Sequence, residues 1–156
     1  KIMAMHTWFE CKIRYEKVME NGMQKKVTEP YLVDALSFTE AEARIIEEMT
    51  PFISGEFTVS DIKRANYSEL FPSDEESADR WFKCKLIFIT LDEKSGAEKK
   101  TSTQVLVQAA DLRDAVKKLD EGMKGTMADY QIGMVSETPL MDVYPYSAGP
   151  NDKPEV

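Results

Sequence analysis

Two six-residue stretches, WFECKI at residues 8–13 and WFKCKL at residues 81–86, decide how this chain folds. They contain both tryptophans and both cysteines of the 156-residue sequence. Because these rare residue types coincide at matching positions, we interpret the stretches as the first strands of two copies of one unit. The copies span residues 6–71 and 79–144, so the sequence predicts an internally duplicated protein.

The similarity continues after the first strands, where the second copy has one more residue in its turn. Residue size and spacing agree through a second strand, a helix and a last strand, while surface residues differ. The aligned pairs include Tyr31 with Val105, Ala35 with Ala109, Phe38 with Leu112, Ala41 with Ala115, Ile45 with Leu119, Met49 with Met123, Phe57 with Tyr130, Leu70 with Val143 and Phe71 with Tyr144.

Each copy carries local signals for a strand that folds back on a second strand. Phe9, Cys11 and Ile13 alternate with polar residues, which predicts a strand with one buried face. Asn21-Gly22 and Ser95-Gly96 then supply residues that tolerate the positive φ of a hairpin turn. The sequence therefore predicts one hairpin at the start of each copy.

A helix follows each hairpin. Ser37 and Asp111 are residues that cap helix starts, and the apolar positions after them recur every three or four residues. Pro51 ends the first helix, while Gly122 and Gly125 weaken and end the second. The apolar stripe of each helix is expected to cover the sheet of its copy.

We predict an α+β protein with two tandem strand-strand-helix-strand repeats. The repeats pack as a pseudo-twofold dimer, with the helices on one face of antiparallel or mixed sheet. The predicted boundaries are repeat 1 at residues 1–71, an acidic connector at 72–78, repeat 2 at 79–146 and a flexible tail at 147–156.

Composition limits the classes of function. With 42% hydrophobic residues, 31% charged residues and a net charge of −8, the sequence is that of a globular protein rather than a uniformly basic nucleic-acid binder. No apolar run is long enough for a membrane span, and the start does not have the apolar stretch of a secretory signal. Two cysteines without metal-ligand spacing fit a reduced compartment. We therefore expect a cytoplasmic protein without a membrane partner.

Catalytic signatures are few. The only histidine is His6, so Cys11 or Cys84 could form a nucleophile pair only with it. Both cysteines lie on the predicted inward face, where a thiol behaves as a small apolar group. The acidic clusters, Glu40, Glu42, Glu47 and Glu48 or Asp74, Glu75 and Glu76, do not have the spacing and glycine of a calcium loop. We predict no enzymatic activity, no cofactor and no metal.

The outward face of the first strands carries the sharpest functional pattern. There aromatic rings alternate with cations, which is how many sheets stack single-stranded bases and neutralise phosphates. Alternatively, each tryptophan covers an edge of the core or the interface between the copies, or the face binds a protein partner. The candidate binding residues are Trp8, Lys12, Arg14, Trp81, Lys83 and Lys85.

The segments WFECKIRYEK, WFKCKLIF and KKVTEPYLVDALSFTEAEARI resemble a family of uncharacterised proteins from Bacteroides-type gut bacteria and related phages. The resemblance covers residues 5 to about 146. It implies a bacterial or phage cytoplasmic protein and carries over no site residues. Our leading hypothesis is a non-enzymatic protein-interaction or accessory module, and the alternative is single-stranded nucleic-acid binding. The sequence leaves the partner and the oligomeric state open.

Overall fold

The computed structural model describes residues 7–145, which form two compact units. Within this part of the chain, unit 1 contains residues 7–65 and 140–145, and unit 2 contains residues 66–139. In chain order the elements are β1 (Trp8–Val18), β2 (Gln24–Asp34), α1 (Phe38–Met49), β3 (Phe57–Ala65), β4 (Glu69–Phe71), β5 (Arg80–Leu91), β6 (Glu98–Ala109), α2 (Leu112–Gly122), β7 (Asp129–Glu137) and β8 (Asp142–Tyr144).

Unit 1 is a mixed four-stranded sheet with α1 packed on one face. The strand order is β3-β1-β2-β8; β1 pairs antiparallel with β2 and β3, and β8 runs parallel to β2. Alternate residues of β1 point toward the helix, which meets them with residues four positions apart. The buried core consists of Phe9, Cys11, Ile13, Val33, Ala35, Ala41, Ile45 and Met49.

Unit 2 has the corresponding sheet, in the order β4-β6-β5-β7, with α2 on one face. Here β5 pairs antiparallel with β6 and β7, and β4 runs parallel to β6. The buried core consists of Phe82, Cys84, Leu86, Val105, Val107, Ala109, Ala115, Leu119 and Met123. All of these residues except Val105, which is aligned with the partly buried Tyr31, occupy the positions that the sequence alignment pairs with the core of unit 1.

The predicted α+β class is confirmed, and the strand-strand-helix-strand pattern occurs twice. Helix α1 joins β2 to β3, which both pair antiparallel with β1, and helix α2 joins β6 to β7, which both pair antiparallel with β5. The two strands that each helix joins are therefore parallel to each other. Each helix is thus a crossover connection. A β-bulge occurs at aligned places, between Lys12 and Ile13 and between Lys85 and Leu86. The pseudo-twofold packing of the copies stays a prediction.

Local signals set the turns and the helix starts as predicted. Gly22 and Gly96 have φ values of 80° and 71°, a left-handed conformation that favours glycine. Ser37 and Asp111 cap α1 and α2, and each side chain accepts a hydrogen bond from the amide three residues ahead, at 3.1 and 2.8 Å respectively. These signals fix where each hairpin reverses and where each helix begins.

The compact units differ from the sequence repeats at their ends. Residues 69–71 fall at the end of repeat 1 (1–71), but they form β4 beside β6 in unit 2. Residues 142–144 fall at the end of repeat 2 (79–146), but they form β8 beside β2 in unit 1. Each sheet is thus completed by a three-residue strand that follows the last long strand of the other repeat. The connector 72–78 lies within unit 2.

Some sequence predictions fall outside residues 7–145 and have no structural counterpart here. These concern His6 and the tail at residues 147–156. Within the described part of the chain, neither α1 nor α2 combines the length and the apolar composition that a membrane-spanning helix needs.

Candidate functional site

The two tryptophans of the predicted binding surface are buried. Trp8 is 3% exposed and Trp81 is 5% exposed. Each lies on the sheet face opposite the helix, where Leu32 in unit 1 and Leu106 in unit 2 are also fully buried. A buried indole presents no face to a base, so this burial gives no support to base stacking at these rings, and nucleic-acid binding stays a prediction.

The four predicted cationic residues lie on the same strand faces as the tryptophans. Arg14 and Lys85 are exposed, and Lys12 and Lys83 are half-buried. On this face of β1, Glu10 lies between Trp8 and Lys12, and its carboxylate is 3.7 Å from Lys63 Nζ. The structure thus brings three predicted residues of each unit onto one strand face, but in unit 1 a carboxylate interrupts the positive charge.

Burial of the indoles has a direct spectroscopic consequence. We expect tryptophan emission of the native protein to be blue-shifted from that of free tryptophan, and to stay unchanged when a mixed-sequence single-stranded oligonucleotide is added at low salt. A fluorescence titration measures both properties. Saturable quenching that weakens as salt is added would contradict the burial of the rings and restore the nucleic-acid hypothesis.

The two thiols are poor nucleophiles. Cys11 and Cys84 are free and fully buried. Burial raises the pKa of Cys84 to about 11. Burial, followed by the charges of Glu10 and Asp61, raises the pKa of Cys11 to about 12. Both groups stay protonated at neutral pH, which suits a packing role better than a catalytic one. Within residues 7–145, no group of three or more His, Cys, Asp or Glu side chains is placed to hold a metal ion.

A groove lined by tyrosines lies in unit 1 and has a volume of about 250 Å³. The end of α1, the loop after it, β1, β2 and β8 together form its walls. We call it the tyrosine groove. Its lining residues are Tyr15, Tyr31, Met49, Phe52, Ile53, Met141, Asp142 and Tyr144.

A single carboxylate organises two of the phenols. Glu29 Oε1 accepts hydrogen bonds from the hydroxyls of Tyr15 at 2.7 Å and Tyr31 at 3.3 Å. The other oxygen of Glu29 lies 3.6 Å from Lys17 Nζ. The ring of Tyr144 stacks on that of Tyr31, with centroids 6.1 Å apart and an angle of 25° between the planes. These contacts hold the rings in fixed orientations along the groove.

The surroundings keep all three phenols neutral. Burial, then the hydrogen bond to Glu29, raises the pKa of Tyr15 to about 12. Burial, then the charge of Glu29, raises the pKa of Tyr31. Burial, then the charges of Asp142 and Glu48, raises the pKa of Tyr144 to about 12. The carboxylates therefore carry the negative charge of the groove.

Two exposed apolar residues form the rim of the tyrosine groove. Phe52 is 76% exposed and Met141 is 49% exposed. The amide of Phe52 donates to Met49 O at 3.0 Å, and the amide of Met141 donates to Pro30 O at 2.9 Å. Hydrogen-bonded backbone thus holds both side chains at the surface. Aromatic residues and methionine are the residue types that are enriched at protein interfaces.

Unit 2 serves as an internal reference for this groove. The hydroxyls of Tyr15 and Tyr144 are absent there, because the aligned residues are Phe88 and Phe71. Both rings pack against the core of unit 2, so the fold does not require the hydroxyls. The other aligned replacements are Thr103 for Glu29, Val105 for Tyr31, Gly122 for Glu48, Thr126 for Phe52 and Ser68 for Met141.

One of these replacements has a steric cause. A Cβ atom at Gly122 would lie 2.8 Å from carbons of the Phe71 ring, so this ring packs directly on the helix backbone in unit 2. In unit 1, a glutamate stands at the aligned position, and its charge acts on Tyr144. The same place in the fold is therefore a closed apolar contact in one unit and a glutamate whose charge acts on Tyr144 in the other.

Other depressions carry mixed charges. One in unit 2, of about 620 Å³, includes Lys118, but this ammonium already lies 2.9 Å from Asp114 and 3.1 Å from Glu75. One in unit 1, of about 720 Å³, includes Arg14 together with Glu16. In neither depression do apolar residues predominate. The tyrosine groove is the better candidate, because it combines fixed aromatic rings with an exposed apolar rim.

Sequence reasoning missed this site. Tyr31 and Tyr144 entered the sequence comparison only as aligned pairs with Val105 and Phe71. The signal was nevertheless present in the sequence, since tyrosines of the first copy are aligned with apolar residues of the second. A difference between two copies of one fold marks positions where the fold itself does not dictate the residue.

Residues 7–146 match a family described as DUF4494, a domain of unknown function. The match covers most of the 156 residues, and the chain belongs to this family. A comparison with the curated proteins finds no match.

Proposed function

We propose that this DUF4494 protein is a non-enzymatic protein-interaction module, and that its tyrosine groove binds a side chain of the partner. The observation that carries the proposal is the exposed rim of Phe52 and Met141 above three fixed tyrosines. In unit 2 the aligned rim residues are Thr126 and Ser68, which are small and polar.

The chemistry of the rim suits protein recognition. Aromatic residues and methionine are enriched at the buried centre of protein interfaces. Burial of an exposed phenyl ring contributes roughly 1.5–3 kcal/mol. Phe52 already has an ordered backbone, so its burial against a partner requires little further ordering. It therefore has the properties of an interface anchor.

The dimensions of the groove favour a side chain over a cofactor. Sites for whole small molecules enclose roughly 300–1,000 Å³. The tyrosine groove encloses about 250 Å³ and is open to solvent at Phe52 and Met141. A space of this size accommodates one long side chain of a partner, while the rim contacts the neighbouring residues.

Charge favours a protein partner over a nucleic acid. The carboxylates of Glu29, Glu48 and Asp142 act on the phenols of the groove. The chain as a whole carries a net charge of −8. Phosphates would be repelled by this potential. The buried indoles of Trp8 and Trp81 give no support to base stacking.

Selection of random peptides displayed on phage tests the proposal without a known partner. We expect the selected peptides to lose about 10- to 100-fold in affinity for the Phe52→Ala variant, since the loss of a phenyl contact of roughly 1.5–3 kcal/mol corresponds to one to two decades. Leu91→Ala is the matched control, because Leu91 is also highly exposed, at 69%, but lies in unit 2.

Affinities are measured by titration of synthetic peptides against each variant. Peptides that bind Phe52→Ala and Met141→Ala as tightly as the original chain would refute the tyrosine groove as the docking site. Equal losses in Phe52→Ala and Leu91→Ala would indicate nonspecific apolar binding. Either result removes the basis of the proposed function.

We further propose that the protein works in the cytoplasm, in a Bacteroides-type bacterium or a related phage-infected cell. Support for a reducing compartment comes from Cys11 and Cys84, which are both free and buried. The source organism is supported only by the resemblance of the strand segments. Immunoblots of cell fractions test the location, and recovery in a secreted fraction would contradict it.

A further inference from the structure

We infer that the tyrosine groove recognises a cationic side chain of the partner, a lysine ammonium or an arginine guanidinium. The cation lies over the tyrosine faces and beside Asp142, which lines the groove, while Glu29 hydrogen-bonds two of the phenols. The inference rests on the proposed function, because it names the chemistry of the partner residue that enters the same groove.

The groove has an excess of negative charge. Three carboxylates act on its phenols, and of these only Glu29 forms an ion pair within residues 7–145, with the half-exposed Lys17. Asp142 accepts a hydrogen bond from its neighbouring amide, that of Val143, which leaves its charge unneutralised. Burial is the main cause of the raised phenol pKa values, and the charges of these carboxylates add to it. A cation entering the groove would therefore be attracted before it makes any contact.

Aromatic rings add a second attraction that acts only on cations. The faces of tyrosine and phenylalanine rings carry partial negative charge and attract ammonium or guanidinium groups within about 6 Å of the ring centroid. Unit 1 already contains such a contact elsewhere, where the guanidinium of Arg64 lies 5.6 Å from the Phe9 centroid and 5.8 Å from the Phe38 centroid. A partner cation in the groove would make the same type of contact.

Unit 2 shows what the site would be without this function. Glu29 and Glu48 are aligned with Thr103 and Gly122, and Tyr31 is aligned with Val105. Both carboxylates and the central ring are thus replaced together in the second unit. At these three positions the first unit carries a carboxylate or an aromatic ring that the second does not have, whereas Asp142 is aligned with another acid, Glu69. A cationic ligand accounts for the differences at Glu29 and Tyr31, while the absence of a side chain at Gly122 also follows from its contact with the Phe71 ring.

The test uses the whole chain and four small probes of defined chemistry. These are the N-acetyl N-methylamides of lysine, arginine and norleucine, together with choline. Norleucine is the neutral control, because it keeps the alkyl chain of lysine and omits the ammonium. Chemical-shift changes in NMR titrations report binding at the groove. We expect the lysine or arginine derivative to shift the ring signals of Tyr15, Tyr31 and Tyr144, and to bind at least fivefold more tightly than norleucine.

Variants then separate the local charge from the net charge. Glu48→Gln is expected to weaken binding of the cationic probe about fivefold, and Asp142→Asn is expected to do the same. Glu47→Gln is the matched control, since it removes an equal charge from an exposed neighbour on α1. Thermal melting checks that every variant is folded.

The outcomes distinguish the two proposals. The inference of a cationic side chain would be overturned if the norleucine derivative bound as tightly as the lysine derivative. Equal losses of affinity in the Glu48 and Glu47 variants would overturn it as well. If the phage peptides still depend on Phe52 in that case, the proposed interaction function stands. Choline binding more tightly than both amino-acid derivatives would overturn the inference in favour of a free organic cation. Tight lysine binding without any Phe52-dependent peptide would instead remove the proposed function.

Discussion

A chain that ends at Pro139 is expected to lose the folded structure of unit 1 while retaining that of unit 2. The cut removes β8, which pairs with β2, together with Leu140 and Val143, which are 6% and 8% exposed. Burial of each side chain contributes roughly 1.5–3 kcal/mol. Their combined loss, roughly 3–6 kcal/mol, reaches the lower end of the stability of a small domain, about 5–15 kcal/mol. All strands of unit 2 lie within residues 66–139 and are unaffected by the cut.

Hydrogen exchange measured by mass spectrometry resolves the two units. Peptides from β1, β2 and β3 should lose protection, while peptides from β5, β6 and β7 should keep it. The control chain ends at Pro145 and so keeps β8. Unchanged protection of β2 in the Pro139 chain would show that the short strand contributes little to unit 1.

The second large effect is expected from Phe9→Ala in the core of unit 1. Phe9 is fully buried, and its ring meets that of Phe38 edge-on at a centroid distance of 4.9 Å. Removal of a buried phenyl ring leaves a cavity and costs roughly 3–5 kcal/mol. The free energy of unfolding, measured by denaturant titration, should fall by this amount.

Phe52→Ala is the matched comparison, because it removes the same ring from a site that is 76% exposed. Its effect on stability should stay within about 0.5 kcal/mol. The two substitutions therefore separate the ring that stabilises the fold from the ring proposed to bind a partner. A loss of several kcal/mol in Phe52→Ala would assign that residue to packing and weaken the proposed function.

Much of the fold was predictable because its determinants are local. The alternation of Phe9, Cys11 and Ile13 specifies the buried face of β1, and all three are fully buried. Gly22 marks the hairpin turn through its positive φ, and Ser37 marks the start of α1. In each case, the signal lies within a few residues of the structure that it specifies.

The short strands β4 and β8 were not predictable in the same way. Three residues contain too little periodicity to specify which sheet they join, and their pairing depends on contacts far away in sequence. The exposure of the tryptophans was not predictable from the sequence either. Alternation places the side chains of Trp8 and Phe9 on opposite faces of β1, but it does not indicate whether the face that carries Trp8 is buried. Only the three-dimensional structure shows that it is.

The tyrosine groove was predictable only in part. Tyr15 was predictable as an inward residue, and the pairing of Tyr144 with Phe71 was visible in the aligned copies. Their convergence with Tyr31 was not, since Tyr144 reaches the groove only through the pairing of β8 with β2. The differences between the two copies were visible in the sequence, but only the sheet topology showed that these residues form one groove.

The discontinuous path of unit 1 has a consequence for synthesis on the ribosome. Translation produces β1, β2, α1 and β3 before any strand of unit 2, yet β8 is made after the last strand of unit 2. Unit 2 can close its sheet as soon as β7 has emerged, whereas unit 1 begins first and finishes last. A nascent chain interrupted before Tyr144 therefore displays no complete tyrosine groove and is not competent for the proposed recognition.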